Sequence, residues 1–149
     1  MGKRQIKTNE SLTIEYLEQD FWGDKLDYDS HLVSTIYKLR KKNLDQFTVE
    51  DFRIVIGQNR SLPILMPMAI DVLDSNILAE GDLYPGDLLN SVLTVSSHFW
   101  IDHPDLKSKL ESVFLKNKQQ LLQNEDLSDK DKTKFFTLYD NVISGNIDK

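Results

Sequence analysis

Three carboxylates lie close together near the middle of the chain, at Glu80, Asp82 and Asp87. Two ordered carboxylates could perform acid–base catalysis, and with a histidine they could bind a metal ion. The nearest histidines along the chain are His98 and His103, five residues apart and separated by a predicted helix end. Zinc sites on helices use spacings of three or four residues, so the spacing disfavours a metal site.

Sequence motifs of the common enzyme classes are also absent. The chain has no Gly-x-Ser-x-Gly motif, no phosphate-binding Gly-Lys-Ser/Thr loop and no paired-glycine dinucleotide motif. It has no cysteine, which excludes thiol nucleophiles, thiolate metal sites and disulfides. We therefore expect a protein that is not an enzyme and binds no cofactor.

Negative charge is concentrated in one block of the sequence. Residues 61–106 contain no Lys or Arg, whereas positive and negative residues are nearly balanced on both sides of this block, and the net charge is -6. A negative net charge disfavours nucleic acid as a direct partner and favours a partner with a basic protein surface. The carboxylates of this base-free block are Asp71, Asp74, Glu80, Asp82, Asp87, Asp102 and Asp105.

Length and composition predict one globular domain over residues 1–149, with a flexible segment at 1–10. The hydrophobic fraction is 40% and the charged fraction 28%, both typical of a folded chain. No apolar run approaches the roughly 18 residues that span a bilayer, and no signal-peptide pattern is present. We therefore expect a cytoplasmic protein without a membrane contact.

Apolar residues recur at helical spacing in seven segments, and no segment alternates with the period of a β-strand. The sequence predicts an all-α fold, a single compact domain of about six to seven helices joined by short loops. The expected N-caps are Ser11, Ser30, Thr48 and Ser128, and Gly57 and Gly145 are the expected ends of two helices. The expected helices span about residues 12–19, 31–42, 49–56, 67–73, 88–100, 104–121 and 129–144.

Two stretches could contact a partner. In the first, Gly81, Pro85 and Gly86 predict tight turns, and the Glu80, Asp82, Tyr84 and Asp87 side chains are candidate partner-binding residues. Asp82 and Asp87 could instead cap helix starts, and for Asp87 we favour the cap. In the second, the Phe21-Trp22 pair either packs at the edge of the core or forms a surface for a partner, with Asp24 and Asp27 as candidates.

Several motifs of the chain resemble one group of bacterial immunity proteins. They are Leu39-Arg40-Lys41-Lys42, Phe47-Thr48-Val49-Glu50-Asp51-Phe52-Arg53, Ile56-Gly57-Gln58, Leu78-Ala79-Glu80-Gly81-Asp82-Leu83-Tyr84-Pro85-Gly86-Asp87-Leu88-Leu89 and Phe99-Trp100. Their order is similar to that in CdiI-type immunity proteins of contact-dependent growth inhibition systems. The resemblance covers roughly residues 12–115, and its most specific part is Glu-Gly-Asp-x-Tyr-Pro-Gly-Asp.

The resemblance implies a small helical protein of the bacterial cytoplasm that binds and neutralises the C-terminal toxin domain of a cognate effector. Such toxins are often nucleases, whose basic substrate clefts suit an acidic inhibitor. A helical scaffold or adaptor without catalytic activity is the alternative, and a metal-dependent hydrolase that uses Glu80, Asp82 and a histidine is a third hypothesis. The sequence leaves the oligomeric state open.

Overall fold

A computed structural model describes the chain over residues 12–22 and 30–145. Within these ranges the chain forms nine α-helices and one 3₁₀ turn at Leu44–Gln46, without a β-strand, so the predicted all-α fold is confirmed. The helices are α1 (Ile14–Glu18), α2 (His31–Arg40), α3 (Val49–Gly57), α4 (Leu62–Ser75), α5 (Asp87–Leu93), α6 (Ser97–Asp102), α7 (Pro104–Lys116), α8 (Lys118–Gln123) and α9 (Asp129–Ser144).

Packing is organised around α4 and α5. Helix α4 contacts α3, α5 and α7, while α5 also contacts α3 and α9. Leu65, Met66 and Ile70 of α4 and Leu88 and Leu89 of α5 are completely buried, as expected for helices with wide apolar faces. None of the helices in the described ranges combines the length and the apolar character that a bilayer crossing requires.

Most of the predicted helix boundaries are present. Ser30 and Ser128 cap α2 and α9 through their side-chain oxygens, and Thr48 and Asp51 form a reciprocal capping box at the start of α3. Gly145 follows α9 with a φ of 75°, a backbone conformation that favours glycine. Each of these signals acts within one turn of helix, which is why the sequence alone identifies them.

Two helix starts differ from the prediction. Thr13 caps α1 by accepting a hydrogen bond from the backbone N–H of Tyr16, and the expected cap Ser11 lies outside the described residues. Helix α4 begins at Leu62 instead of near Pro67, because Pro63 lies in its first turn, where a missing N–H needs no partner. Pro67 is inside α4, and the helix continues through it without the hydrogen bond that its nitrogen cannot donate.

The end of α3 also differs in detail from the prediction. Gly57 is the last residue of this helix rather than the first residue beyond it, and its φ is not positive. Asn59 adopts the left-handed conformation instead, with a φ of 56°, which asparagine tolerates better than most residues. Its Oδ1 accepts a hydrogen bond of 2.8 Å from the Ser96 N–H and so ties this turn to the start of α6.

Two predicted helices are each divided in two. The helix expected over residues 88–100 stops at Thr94, whose hydroxyl donates to the Asn90 carbonyl, and Ser96 then caps a new helix. The helix expected over residues 104–121 is interrupted at Asn117, whose side-chain amide donates to the Val113 carbonyl at 2.8 Å. In both breaks a polar side chain competes with the backbone for a helical carbonyl. The predicted break at residues 102–104 is confirmed.

The position of the basic residues at the end of α2 suggests solvated side chains. They are ion-paired instead. Arg40 is only 4% exposed, and its guanidinium donates to the Glu18 carboxylate and to the Asp20 carbonyl, both at 2.6 Å. Lys42 forms an ion pair of 2.6 Å with Asp51. These contacts connect α1 and α3 to the end of α2, so this cluster is structural.

The two rings of the aromatic pair that follows α1 lie in different environments. The guanidinium of Arg40 lies 4.5 Å from the centre of the Trp22 ring, and the Tyr37 ring is 6.2 Å away, so Trp22 packs against the body of the protein. Phe21 is 58% exposed. The neighbouring candidates Asp24 and Asp27 lie outside the described residues.

Candidate protein interaction site

The candidate partner-binding residues lie on a tight loop between α4 and α5, which we call the acidic loop (residues 80–87). Glu80 and Pro85 form an isolated antiparallel β-bridge across it. The Gly86 N–H donates to the Leu78 carbonyl at 3.2 Å, and the Asp87 N–H donates to the Tyr84 carbonyl at 3.0 Å. The loop therefore leaves and re-enters the protein at neighbouring points and projects as one unit.

The Asp87 carboxylate fixes the interior of the acidic loop. It accepts hydrogen bonds from the backbone N–H groups of Gly81 at 2.7 Å, Leu83 at 3.0 Å and Tyr84 at 3.4 Å. The predicted helix cap is therefore wrong, since the N-cap of α5 is Gly86 and no side chain caps it. Asp87 is 1% exposed, so it supports the loop from within and does not belong to its outer surface.

Both glycines of the acidic loop are required, for different reasons. Gly86 has a φ of 88°, as the sequence predicted, and a Cβ at this position would lie 2.7 Å from the Phe135 ring of α9. Gly81 does not adopt a positive φ, so the expectation of a special backbone angle is wrong for it. A Cβ there would lie 2.5 Å from Glu50 Oε1 and 3.1 Å from Glu50 Cα, so glycine permits the close approach of the loop to α3.

An ion pair on α3 supports the acidic loop from outside its own segment. Arg53 donates to both Glu50 oxygens, with Nε 2.6 Å from Oε1 and Nη2 2.5 Å from Oε2. The same Oε1 accepts the Asp82 N–H at 2.9 Å, and Arg53 Nε lies 3.8 Å from Asp87 Oδ2. Arg53 therefore neutralises two inner carboxylates while their oxygens hold loop amides.

These contacts change the pKa values of both members of the pair. The hydrogen bonds from Arg53 lower the pKa of Glu50 below its ordinary value, and the N–H of Asp82 acts in the same direction. The bonds to Glu50 raise the pKa of Arg53. Both groups are therefore charged at neutral pH.

The outer surface of the acidic loop combines charge with apolar area. Glu80 and Asp82 are exposed, as is Leu83 at 60% and Tyr84 at 37%. Among the described residues, no Lys or Arg lies within ion-pair distance of the Glu80 or Asp82 carboxylate. The structure thus brings three of the predicted residues, Glu80, Asp82 and Tyr84, to one exposed surface.

Other carboxylates of the base-free block are neutralised by lysines from the following segment. Asp71 pairs with Lys109 of α7 at 2.7 Å, and Asp74 pairs with Lys116 of the same helix. Both pairs are largely solvent-exposed and contribute little to stability, about 0–1 kcal/mol each. Among the described residues, the carboxylates of the block that form no ion pair are Glu80, Asp82, Asp102 and Asp105.

A cleft of about 370 Å³ adjoins the acidic loop on the side of α9. Tyr84 and Pro85 of the loop, Asn90 of α5, and Asp131, Lys134 and Phe135 of α9 line it. Partial burial raises the pKa of Tyr84, and the negative charges of Asp87 and Asp131 raise it further. Arg53 acts on Tyr84 in the opposite direction, and Lys134 adds a positive charge to the lining of the cleft.

The histidines do not form a metal site with the acidic loop. His103 stacks on the Phe99 ring with 4.3 Å between ring centres, and its Nδ1 lies 2.9 Å from the Phe99 carbonyl oxygen. In the part of the chain that the structure describes, no group of three His, Asp or Glu residues could hold a metal ion.

Sequence reasoning missed the supports that other helices provide. It gave neither Glu50 nor Arg53 a role at the loop, although their spacing of three residues permits an ion pair on one helix face. Asp131 received no role there either, and its carboxylate has no bonding partner among the described residues, while Ser128 caps α9. No local signal shows that these side chains meet the acidic loop.

We predict that Asp87→Asn destabilises the protein by about 1–3 kcal/mol, because an amide nitrogen replaces one oxygen that accepts buried loop N–H groups. Urea unfolding measures this loss, and hydrogen exchange of the Gly81, Leu83 and Tyr84 amides should accelerate. Glu80→Gln, an equivalent change on the outer surface, is the control. Equal stabilities for the two variants would contradict the assigned role of Asp87.

The lowered pKa of Glu50 predicts a pH-dependent contribution to stability. A carboxylate whose pKa falls on folding stabilises the protein above its ordinary value of 4.5, and that contribution disappears as the pH falls through the folded-state value. At pH 7 the free energy of unfolding of the wild type should therefore be higher than that of Glu50→Gln. The difference should be at most about 1.5–3 kcal/mol. The difference should shrink below pH 4.5 in urea titrations. A difference that stays constant down to pH 3 would disprove the linkage.

Comparison with known proteins identifies one related family. A family model described as CDI immunity proteins matches residues 11–110, which include α1 to α6 and the acidic loop. No curated protein and no solved structure matches the chain.

Proposed function

The chain belongs to the CDI immunity protein family, and from that premise we propose that it binds and neutralises the toxin domain of a cognate contact-dependent growth inhibition effector. The proposed contact surface is the outer side of the acidic loop, with Glu80, Asp82 and Tyr84 as partner-binding residues. Asp87 contributes by fixing the loop and not by direct contact, because it is buried.

The observation that carries this assignment is the pair of unpaired carboxylates on a preordered loop. The backbone N–H groups of residues 81–84 that approach Asp87 and Glu50 are hydrogen-bonded, so little loop ordering remains to oppose association. Charges at a binding surface act mainly by steering a partner of opposite sign and by excluding partners of the same sign. The surface therefore fits a basic partner.

Leu83 and Tyr84 supply the apolar component of the same surface. Tyrosine is enriched among interface residues that dominate binding energy, since it buries a large area with few rotatable bonds. Tyr84 is 37% exposed and shares the loop with Glu80 and Asp82, which suits a contact that combines apolar area with charge. Asp24 and Asp27 remain predicted contacts of a second surface.

A nuclease is the toxin class that this surface suits best. A nuclease binds the phosphate backbone of its substrate through a basic cleft, and an acidic loop can occupy that cleft in place of phosphate. Inhibition would then require no catalysis by the immunity protein. We propose the cytoplasm of the producing bacterium as the site of action, since nucleic acid substrates and incoming toxin meet there.

Co-expression tests this function directly. Cells that express the toxin domain encoded beside this chain should stop growing, and simultaneous expression of the chain should restore growth. An unrelated acidic helical protein at the same level is the control and should give no protection. If cells die equally fast with and without the chain, the toxin-binding function is wrong and a helical adaptor without a toxin partner becomes the better hypothesis.

For the charges of the acidic loop, we predict that Glu80→Lys combined with Asp82→Lys slows association with the toxin domain by about 10-fold or more at low salt. The loss should shrink as ionic strength rises, because the screening length falls to about 8 Å at physiological salt and about 3 Å at 1 M. Stopped-flow association rates at several salt concentrations measure this effect.

The control for the charge reversal is Asp102→Lys, which changes an exposed carboxylate of the same base-free block at the end of α6. This variant should associate at close to the wild-type rate. Thermal unfolding confirms that all variants fold. Equal association rates for the loop variant and Asp102→Lys at low salt would exclude the acidic loop as the steering surface.

A further inference from the structure

We infer that the cleft between the acidic loop and α9 receives one long cationic side chain, a lysine or arginine, from the toxin domain. This inference rests on the proposed function, and it assigns a role to a site that the charged surface of the loop does not include. The cleft has about 370 Å³, within the range of ligand-binding pockets. That space accommodates a long side chain together with its adjoining main chain.

The walls of the cleft match the two parts of such a side chain. Pro85 and the buried Phe135 ring present apolar surface, against which the methylene stem of Lys or Arg packs while the charged group remains near polar atoms. The Tyr84 ring supplies a second aromatic surface, which attracts a cation through its electron-rich face. An anionic side chain would gain nothing from either aromatic ring.

Two oxygen acceptors are available for the charged group. The exposed Asp131 carboxylate has no bonding partner among the described residues. Among the described residues, Asn90 Oδ1 is buried and has no hydrogen-bond partner. Asn90 lines the cleft, and no described side chain or amide bonds to its side chain, so this oxygen is the second acceptor at the site.

Lys134 is the positively charged side chain that lines the cleft. Asp131 opposes its charge within the cleft, and of the neighbouring groups Asp87 acts on Tyr84 with the same sign as Asp131 while Arg53 acts with the opposite sign. The raised pKa of Tyr84, caused partly by Asp87 and Asp131, agrees with a negative field there. A cation that enters the cleft is therefore held by Asp131, the carboxylate that lines it, and by the faces of the aromatic rings.

The test measures the affinity of the full chain and its variants for the cognate toxin domain. Asp131→Asn, which removes the charge and keeps the shape, should weaken binding by about 10-fold. Asp129→Asn is the matched control, because both residues lie exposed in the first turn of α9 and only Asp131 lines the cleft. Lys134→Met should leave affinity unchanged or increase it.

A second measurement identifies the occupant. Each Lys and Arg on the toxin surface is replaced in turn by Met, and binding to the wild type and to Asp131→Asn is compared. One toxin variant should bind the wild type about 10-fold more weakly than the unsubstituted toxin domain does. The same toxin variant should show no further loss of affinity for Asp131→Asn, because the two changes remove the same contact.

The outcomes separate this inference from the proposed function. If the wild type binds the toxin domain while Asp131→Asn behaves like Asp129→Asn, the cleft assignment is wrong and toxin binding stands. Weaker binding by Lys134→Met would show an anionic occupant and also overturn the assignment. A wild type that does not bind the toxin domain would overturn both proposals together.

Discussion

The buried carboxylate of Asp87 is the contact on which the acidic loop depends. A carboxylate away from water is costly unless hydrogen bonds and an opposite charge compensate it. Three backbone N–H groups and the nearby Arg53 guanidinium provide that compensation. The loop amides depend on the carboxylate in turn, because the same three N–H groups face away from other acceptors once the loop has closed. The burial of one charge thus determines the shape of the surface that presents two others.

Carboxylates of the base-free block have different roles that their sequence does not distinguish. Asp71 and Asp74 meet lysines of α7, while Asp87 faces loop amides and Arg53. Only in the folded chain does it become clear that neither Glu80 nor Asp82 forms an ion pair among the described residues, although the Arg53 charge acts on Asp82 from α3. The concentration of negative charge along the sequence is therefore a starting point, and helix packing decides which charges act on the surroundings.

Local chemistry explains which parts of this fold the sequence predicts. The caps at Ser30, Thr48 and Ser128 act within a single turn, so sequence patterns identify them reliably. The interruptions at Thr94 and Asn117 arise where a polar side chain competes with the backbone for a hydrogen bond to a helical carbonyl. Apolar periodicity continues across both interruptions. They were missed for that reason.

The candidate site was predictable to the extent that its residues are adjacent along the chain. Glu80, Asp82 and Tyr84 share one loop, so their exposure follows from turn residues and polarity. The Glu50 ion pair approaches Asp82 across 32 residues, and Asp131 reaches the cleft from a helix that follows the family match. Contacts at such separations arise from tertiary packing, which has no signature in neighbouring residues.

The exposed tip of the acidic loop has a consequence for the free protein. An immunity protein that acts as proposed must be present before its target arrives, with its contact surface uncovered and at a concentration sufficient for protection. Leu83 is 60% exposed at that tip, and an apolar tip favours self-association. Glu80 and Asp82 precede it on the same loop in every copy, so two such tips that approach each other also bring like charges together. The same carboxylates that suit a basic partner therefore oppose self-association of the protein while that partner is absent.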